Sequence, residues 1–210
     1  MRVVLASTSP RRRELLFLLG ILFEVRSPSC EERIIPGFSA RELAAKFSCE
    51  KARSISTDDS DAIVLGSDTL IELGGTVLGK PSDLSEARTM LRQMAGREHM
   101  VHTAVTLSCR DHAIETTQCS TAHVRMKPFD AEAHARYLAS GDSHGKAGAY
   151  SIQGPGADLI EALKGDFTTV VGLPLMLTAS LLEEAGVHIP IDIHALYAEK
   201  PFGTWMRFPG

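Results

Sequence analysis

Two rhythms of hydrophobic and polar positions alternate along this chain. Residues 2–6 (RVVLA) are a short apolar run that predicts a buried strand. Ser9 and Pro10 then supply the N-cap and first-turn signals of a helix whose Leu15, Leu16 and Leu19 face inward and which Gly20 stops. Ser39-Ala-Arg-Glu42 reads as a capping box opening a second helix through Leu43, Phe47 and Lys51. The β-branched run AIVLGSDT continues into Leu70–Leu73, turns at Gly74-Gly75 and returns as Thr76-Val77-Leu78, a hairpin pattern. A helical stripe of Leu84, Ala87, Leu91 and Met94 follows over residues 84–94, with Gly96 just beyond it. Strands are predicted near 101–109 and 113–126, and a helix from Asp130 to Ser140 ends at Gly141. The glycine-rich stretch GKAGAYSIQGPG leads to a short helix, to TTVVGLP, and to a last helix near 175–185. Strand-like and helical runs that alternate in this way predict an α/β fold.

Composition narrows the picture. A chain of 210 residues that is 44% hydrophobic and 23% charged can bury a sizeable core as one domain, or as two small lobes sharing a cleft. The formal net charge of -4 argues against a nucleic-acid polymer as partner, because such binding needs many clustered Lys and Arg. Any anion site must therefore be local. Cys30, Cys49, Cys109 and Cys119 form no C-x-x-C pair and are expected to be reduced packing thiols. The start MRVVLASTSPRRR places its short apolar stretch before the basic run, unlike a secretory leader. No apolar run reaches the roughly 18 residues of a membrane span, so the expectation is a cytoplasmic protein with no membrane partner.

Chemistry gathers at a few points. In Ser7-Thr8-Ser9-Pro10-Arg11-Arg12-Arg13 a strand hands over to a helix, whose free N–H groups and positive dipole end favour an anion. Arginine forks there suit phosphate oxygens, although three arginines also read as a solvated basic face. Ser67-Asp68-Thr69 lies where a buried apolar run stops being apolar, the position at which α/β sheets place ligands. With a two-residue turn at Gly74-Gly75, the hairpin register pairs Thr69 with Lys80 and brings Lys80 beside Asp68. That pairing suits either a surface ion pair or a carboxylate next to a phosphate-binding lysine. Lys51 shares the i, i+4, i+8 series of Leu43 and Phe47, where snorkelling is the ordinary explanation. Gly74 to Lys80 fits G-x-x-x-x-G-K, but Pro81 replaces the magnesium-binding hydroxyl and the glycines fall in a hairpin, so no P-loop is assigned. His99 and His102 would face opposite sides of a strand and are assigned no metal.

Taken together, LASTSPRRRELL, Glu31-Glu32, Glu50-Lys51-Ala52, GSDT, LGKP, GREHMVHT, GKAGAYSIQG and VVGLP resemble the Maf family of nucleotide pyrophosphatases, in order and in spacing. The resemblance runs from residue 3 to about 182, so a Maf-like domain is expected over 1–188 and a C-terminal tail over 189–210, with Tyr197, Phe202, Trp205 and Phe208. It implies a twisted mixed β-sheet flanked by helices, with two lobes around a central cleft, similar to inosine triphosphate pyrophosphatases. It also implies a divalent cation, Mg2+ or Mn2+, and hydrolysis between the α and β phosphates of a small-molecule nucleotide. Asp68 looks like the family's proton acceptor, and Glu32, Lys51 and Lys80 fall on its polar cluster, with Glu32 and Asp68 as the metal pair. Arg11, Thr69 and Gln153 match substrate-selecting positions, while Ser7, Ser9, Arg12 and Lys146 complete the expected substrate contacts. Thr69 points to the dTTP/UTP branch. Glu31 stands where the family usually has Asp, and Gly145 where an acid usually precedes Lys-Ala-Gly. A rival reading is a non-catalytic nucleotide-sensing or division-regulating module using the same cleft; whether the chain forms a homodimer is left open.

Overall fold

The computed structural model describes residues 1–208. Its strands are β1 (Val3–Ala6), β2 (Phe23–Arg26), β3 (Ile63–Leu73), β4 (Thr76–Leu78), β5 (Glu98–Cys109), β6 (Ile114–Met126) and β7 (Ile160–Lys164). Its helices are α1 (Pro10–Phe17), α2 (Ala40–Ser56), α3 (Leu84–Met94), α4 (Ala131–Ala139), α5 (Phe167–Val171), α6 (Leu175–Glu184) and α7 (Ile193–Glu199). The strands form one mixed sheet in the order β2-β1-β3-β5-β6-β7, with β4 paired to the far end of β3. β1 is parallel to both of its neighbours, and the long hairpin partners β3, β5 and β6 run antiparallel. The fold class expected from the alternating rhythms is thus the one observed.

Helix α2 covers one face of this sheet alone. It begins where the capping box predicted, with Ser39 Oγ accepting from the Glu42 amide and Glu42 accepting from the Ser39 amide. Its Leu43, Ala44 and Phe47 pack against Leu70 and Ala104, each large side chain contributing roughly 1.5–3 kcal/mol by leaving water. The approach is close because β3 has a glycine beneath the helix: a Cβ at Gly66 would stand 2.1 Å from the Ser48 carbonyl oxygen. The opposite face carries the larger core, to which α1, α3, α4, α5 and α6 contribute Leu15, Leu91, Leu138, Phe167 and Leu182.

Three elements escaped the sequence pattern. β2 and β7 are short strands at the two ends of the sheet, with mixed burial and no sustained alternation. α7 follows the helix expected to be the last, and its apolar residues are only half-buried. Beyond α7, Trp205 and Phe208 are buried in the main core. Residues 209 and 210 of the expected tail lie outside the described residues.

Candidate functional site

The sheet itself opens the site. β1 pairs with β3 as far as Gly66, and β4 takes up the same strand only from Ile71. Between these points residues 67–70 of β3 keep β5 on one edge and have no strand on the other. Asp68 and Thr69 stand in this gap, with the turn from β1 into α1 beside them.

Asp68 projects toward α2, where Lys51 sits one turn beyond Phe47. Both side chains are buried, Asp68 at 3% and Lys51 at 5% exposure. The Lys51 ammonium donates to Asp68 Oδ1 and forms an ion pair with Glu32 Oε1 at 2.7 Å. Lys80 reaches the second oxygen, Glu32 Oε2, also at 2.7 Å. The result is a chain of alternating charges: Asp68, Lys51, Glu32, Lys80. Burial raises the pKa of Asp68, against the opposing pull of Lys51 and Arg12. Glu32 also meets the cost of burial, but its two lysines outweigh it and hold the carboxyl at about 2. Asp68 Oδ2 is buried and has no hydrogen-bond partner among the described residues.

The observed hairpin register matches the expected one from Leu73–Thr76 to Ile71–Leu78. It does not extend to Lys80. Pairing ends at Leu78, and Lys80 meets Glu32 instead of Asp68, so the two predicted neighbours are joined through a carboxylate and a second lysine.

Arg11 and Arg12 enter the cavity from α1. Ser9 is the N-cap as expected, yet its hydroxyl makes no capping hydrogen bond. Ser7 Oγ accepts from the Ser9 amide at 3.1 Å, and the amides of the first turn beyond it receive no cap from Ser9, a state that favours an incoming anion. Arg12 donates from Nε to the Gly172 carbonyl at 2.8 Å and from Nη2 to Thr69 Oγ1 at 3.1 Å. Gly172 has φ +121, and a Cβ there would stand 3.3 Å from Thr69 Oγ1, so this turn takes glycine. Arg11 donates to Ser151 Oγ at 2.9 Å. Burial lowers the pKa of both arginines, which remain charged at any physiological pH.

The loop 142–154 closes the other side. Gly145, Gly148 and Gly154 have positive φ, and so does Ala149. Lys146 donates to Asp142 Oδ1 at 2.7 Å, so a carboxylate four residues upstream holds the lysine whose expected acidic neighbour is Gly145. Gln153 lies beyond Ser151, whose Oγ accepts its amide at 3.3 Å.

All eleven residues singled out from the sequence line one cavity of about 790 Å³: Ser7, Ser9, Arg11, Arg12, Glu32, Lys51, Asp68, Thr69, Lys80, Lys146 and Gln153. Asp142, Ser151 and Cys30 line it too and were not anticipated. For Asp142 the signal is its spacing of four from Lys146; Ser151 carries none, and Cys30 carries only that of a packing thiol. His99 and His102 lie elsewhere, bonded to Tyr150 Oη at 2.8 Å and Thr121 Oγ1 at 2.9 Å. Among the described residues no three His, Cys, Asp or Glu side chains form a metal cluster. The carboxylates of the cavity that could hold a cation are Glu32 and Asp68, the latter with an oxygen that has no hydrogen-bond partner among the described residues. Such a pair fits a hard cation that completes its shell with water and phosphate oxygens, and does not fit an all-protein cage. No helix among the described residues is long and apolar enough to cross a membrane.

Known proteins similar to this chain share one name. A protein of Anaeromyxobacter dehalogenans named dTTP/UTP pyrophosphatase is 43% identical over 196 residues, covering 90% of this chain and 96% of its own. Relatives of the same name from Aquifex aeolicus and Symbiobacterium thermophilum are each 42% identical, over 88% and 90% of this chain and 95% and 96% of theirs. Among solved structures, the Staphylococcus aureus Ham1 protein aligns with a TM-score of 0.48 at 15% identity, over 77% of this chain and 81% of that one. The profile of the family described as Maf-like protein matches residues 2–185, and with relatives this similar over nine-tenths of its length the chain belongs to that family.

Proposed function

We propose that this chain hydrolyses dTTP or UTP to the nucleoside monophosphate and pyrophosphate. The observation that carries the reading is Asp68: one oxygen held by Lys51, the other without a partner among the described residues, in a cavity whose lining includes two arginines, three lysines and a glutamine. The relatives' shared name supplies the substrate class.

Arg11, Arg12 and Lys146 neutralise the triphosphate and hold it in line, assisted by the open N-terminus of α1. Asp68 accepts the proton of the attacking water. Burial makes it a stronger base than an exposed carboxylate, and Lys51 keeps it oriented. Glu32 fixes Lys51 and Lys80 so that both ammonium groups stand ready for phosphate oxygens. A divalent cation, Mg2+ or Mn2+, held by Glu32 and Asp68 would supply Lewis-acid neutralisation of the phosphates. Gln153 offers a carbonyl and an amide to the N3–H and a carbonyl of uracil or thymine. Thr69 is committed to Arg12 and Thr103, so it selects through Arg12 rather than by an independent contact. We place this work in the cytoplasm, where free nucleotides are.

The test is a panel of nucleoside triphosphates with Mg2+ or Mn2+, resolving monophosphate, pyrophosphate and orthophosphate. Expected are UTP and dTTP as best substrates, pyrophosphate as the product and loss of activity in EDTA. Release of single phosphates, or full activity in EDTA, overturns the reading. Nucleotide binding without turnover would favour the sensing module instead.

A further inference from the structure

We propose that the C-terminal segment, residues 189–208, is a positioning element of this site that acts through α5 on Arg12. The segment lies beyond residues 2–185, which the family profile matches, and two of its aromatic side chains, Tyr197 and Trp205, meet the start of one short helix.

α5 has five residues, too few to hold its shape without tertiary support. Its N-cap Asp166 accepts from the Thr168 and Thr169 amides. Asp166 is gripped in turn by the C-terminal segment: Tyr197 Oη donates to Asp166 Oδ1 at 3.0 Å and lies 3.0 Å from Thr168 Oγ1. The first residue of the helix, Phe167, stacks on Trp205 with ring centroids 5.3 Å apart and planes 10° from parallel. Tyr197 meets the same indole edge-on at 4.9 Å. A polar clamp and an aromatic clamp therefore fix the N-terminal end of α5, and both come from the C-terminal segment.

The other end of α5 delivers the site. Its C-cap is Gly172, whose carbonyl accepts from Arg12 Nε at 2.8 Å and from Ser67 Oγ at 3.1 Å. A second route leaves mid-helix: the Thr169 carbonyl accepts from Thr103 Oγ1, which bonds Thr69 Oγ1, which accepts from Arg12 Nη2. Both hydrogen bonds that orient the Arg12 guanidinium thus end on α5. A tilt of this helix moves the fork of Arg12, and sub-ångström errors in a phosphate clamp are costly.

This proposal rests on Arg12 being a phosphate clamp, so its test includes a readout independent of turnover. Tyr197→Phe removes the hydroxyl and keeps the ring against Trp205; Asp166→Asn weakens the same joint from the other side. With UTP and metal, each is expected to raise KM about tenfold with little change in kcat, the signature of lost uniform binding. A merely structural lesion would instead lower the active fraction, reducing kcat at constant KM. In an Arg12→Ala background, Tyr197→Phe is expected to add nothing. The independent readout is exchange of the Arg12 Nε–H proton by NMR, assigned by its loss in Arg12→Lys. It should be slow in the wild type and clearly faster in Tyr197→Phe. Unchanged exchange in Tyr197→Phe, or full additivity in the Arg12→Ala background, overturns the proposal. A wild type that turns over no nucleotide overturns the functional reading alone, because the exchange measurement still decides this one.

Discussion

At the Lys51 end of the cavity the central pair, Lys51 and Asp68, stands on regular structure. Lys51 belongs to a helix of 17 residues, Asp68 to a strand of 11, and Gly66 lets the two backbones touch. At the Gln153 end the groups stand on a loop that bends through positive φ at Gly145, Gly148, Ala149 and Gly154. For Ala149 that conformation costs about 1–2 kcal/mol, which the loop's anchors must offset. Those anchors include Tyr150 Oη to His99 Nε2 at 2.8 Å, Tyr137 Oη to the Ala149 carbonyl at 3.2 Å, the Gly148 amide to the Gly79 carbonyl at 2.9 Å, Arg11 to Ser151 Oγ at 2.9 Å, and the buried side chains of Tyr150 and Ile152. The difference follows from what each end must do. Proton transfer and charge neutralisation depend on fixed distances, which packed elements supply; recognition of a planar base needs a curved backbone, which they do not.

The hardest blow to this division should fall at the rigid end. Asp68→Asn keeps shape and removes the charge, so kcat with UTP should fall by about 10² to 10⁴ while nucleotide still binds through the arginines. The melting temperature should hold or rise, since the substitution removes a buried charge whose carboxyl burial already disfavours. A kcat within threefold of the wild type would strip Asp68 of its role and dissolve the contrast between the two ends.

The rigid end was also the legible one. Lys51 could be placed because α2 keeps one apolar period from Leu43 onward, and Asp68 because the apolar run of β3 turns polar there. Glu32 lies in irregular backbone between β2 and α2, so only the family resemblance pointed to it. Lys80 was given the wrong neighbour because register predicts backbone pairing, whereas the destination of a four-carbon side chain is set by charge. The arginine fork of Arg12 was visible as a residue, but not its anchors: one is the carbonyl of Gly172, and a main-chain acceptor leaves no trace in side-chain identity. Short strands such as β2 and β7, and the aromatic anchors of the last segment, lack the repeated period from which elements are read.

A smaller effect should separate the ends by pH. His99 ties the loop to β5, and burial pushes its pKa down to about 4 from the ordinary value of 6.5. The folded protein thus keeps His99 neutral at pH values where the unfolded chain protonates it. Between about pH 6.5 and 4 the unfolded state binds the extra proton, and stability falls as the pH falls. The loss at pH 4.5 should be on the order of 2 kcal/mol relative to pH 7. Urea midpoints for wild type and His99→Gln at both pH values check this. The variant should lose less on acidification, and equal losses would remove His99 as the acid-sensitive anchor.

The smallest predicted effect is the most specific to the loop. Gln153 lines the cavity on the loop side and, in the proposed pose, makes two hydrogen bonds to the base and none to the phosphates. Two neutral hydrogen bonds at a net of about 0.5–1.5 kcal/mol each, partly replaced by water in a variant, correspond to roughly a tenfold change in kcat/KM. Gln153→Ala should therefore lower kcat/KM for UTP and dTTP by about that factor. Binding of inorganic tripolyphosphate, which has the phosphate chain but no base, should be unchanged, because Arg11, Arg12 and Lys146 are untouched. Calorimetry with tripolyphosphate beside kinetics with UTP makes the comparison on one preparation. Equal weakening of both ligands would mean that the substitution disturbs the loop as a whole, for instance through the Gln153 amide bond to Ser151 Oγ, and hence the arginine that Ser151 holds. A selective loss for UTP alone would assign base recognition to the loop and leave the phosphate clamp to α1 and α5.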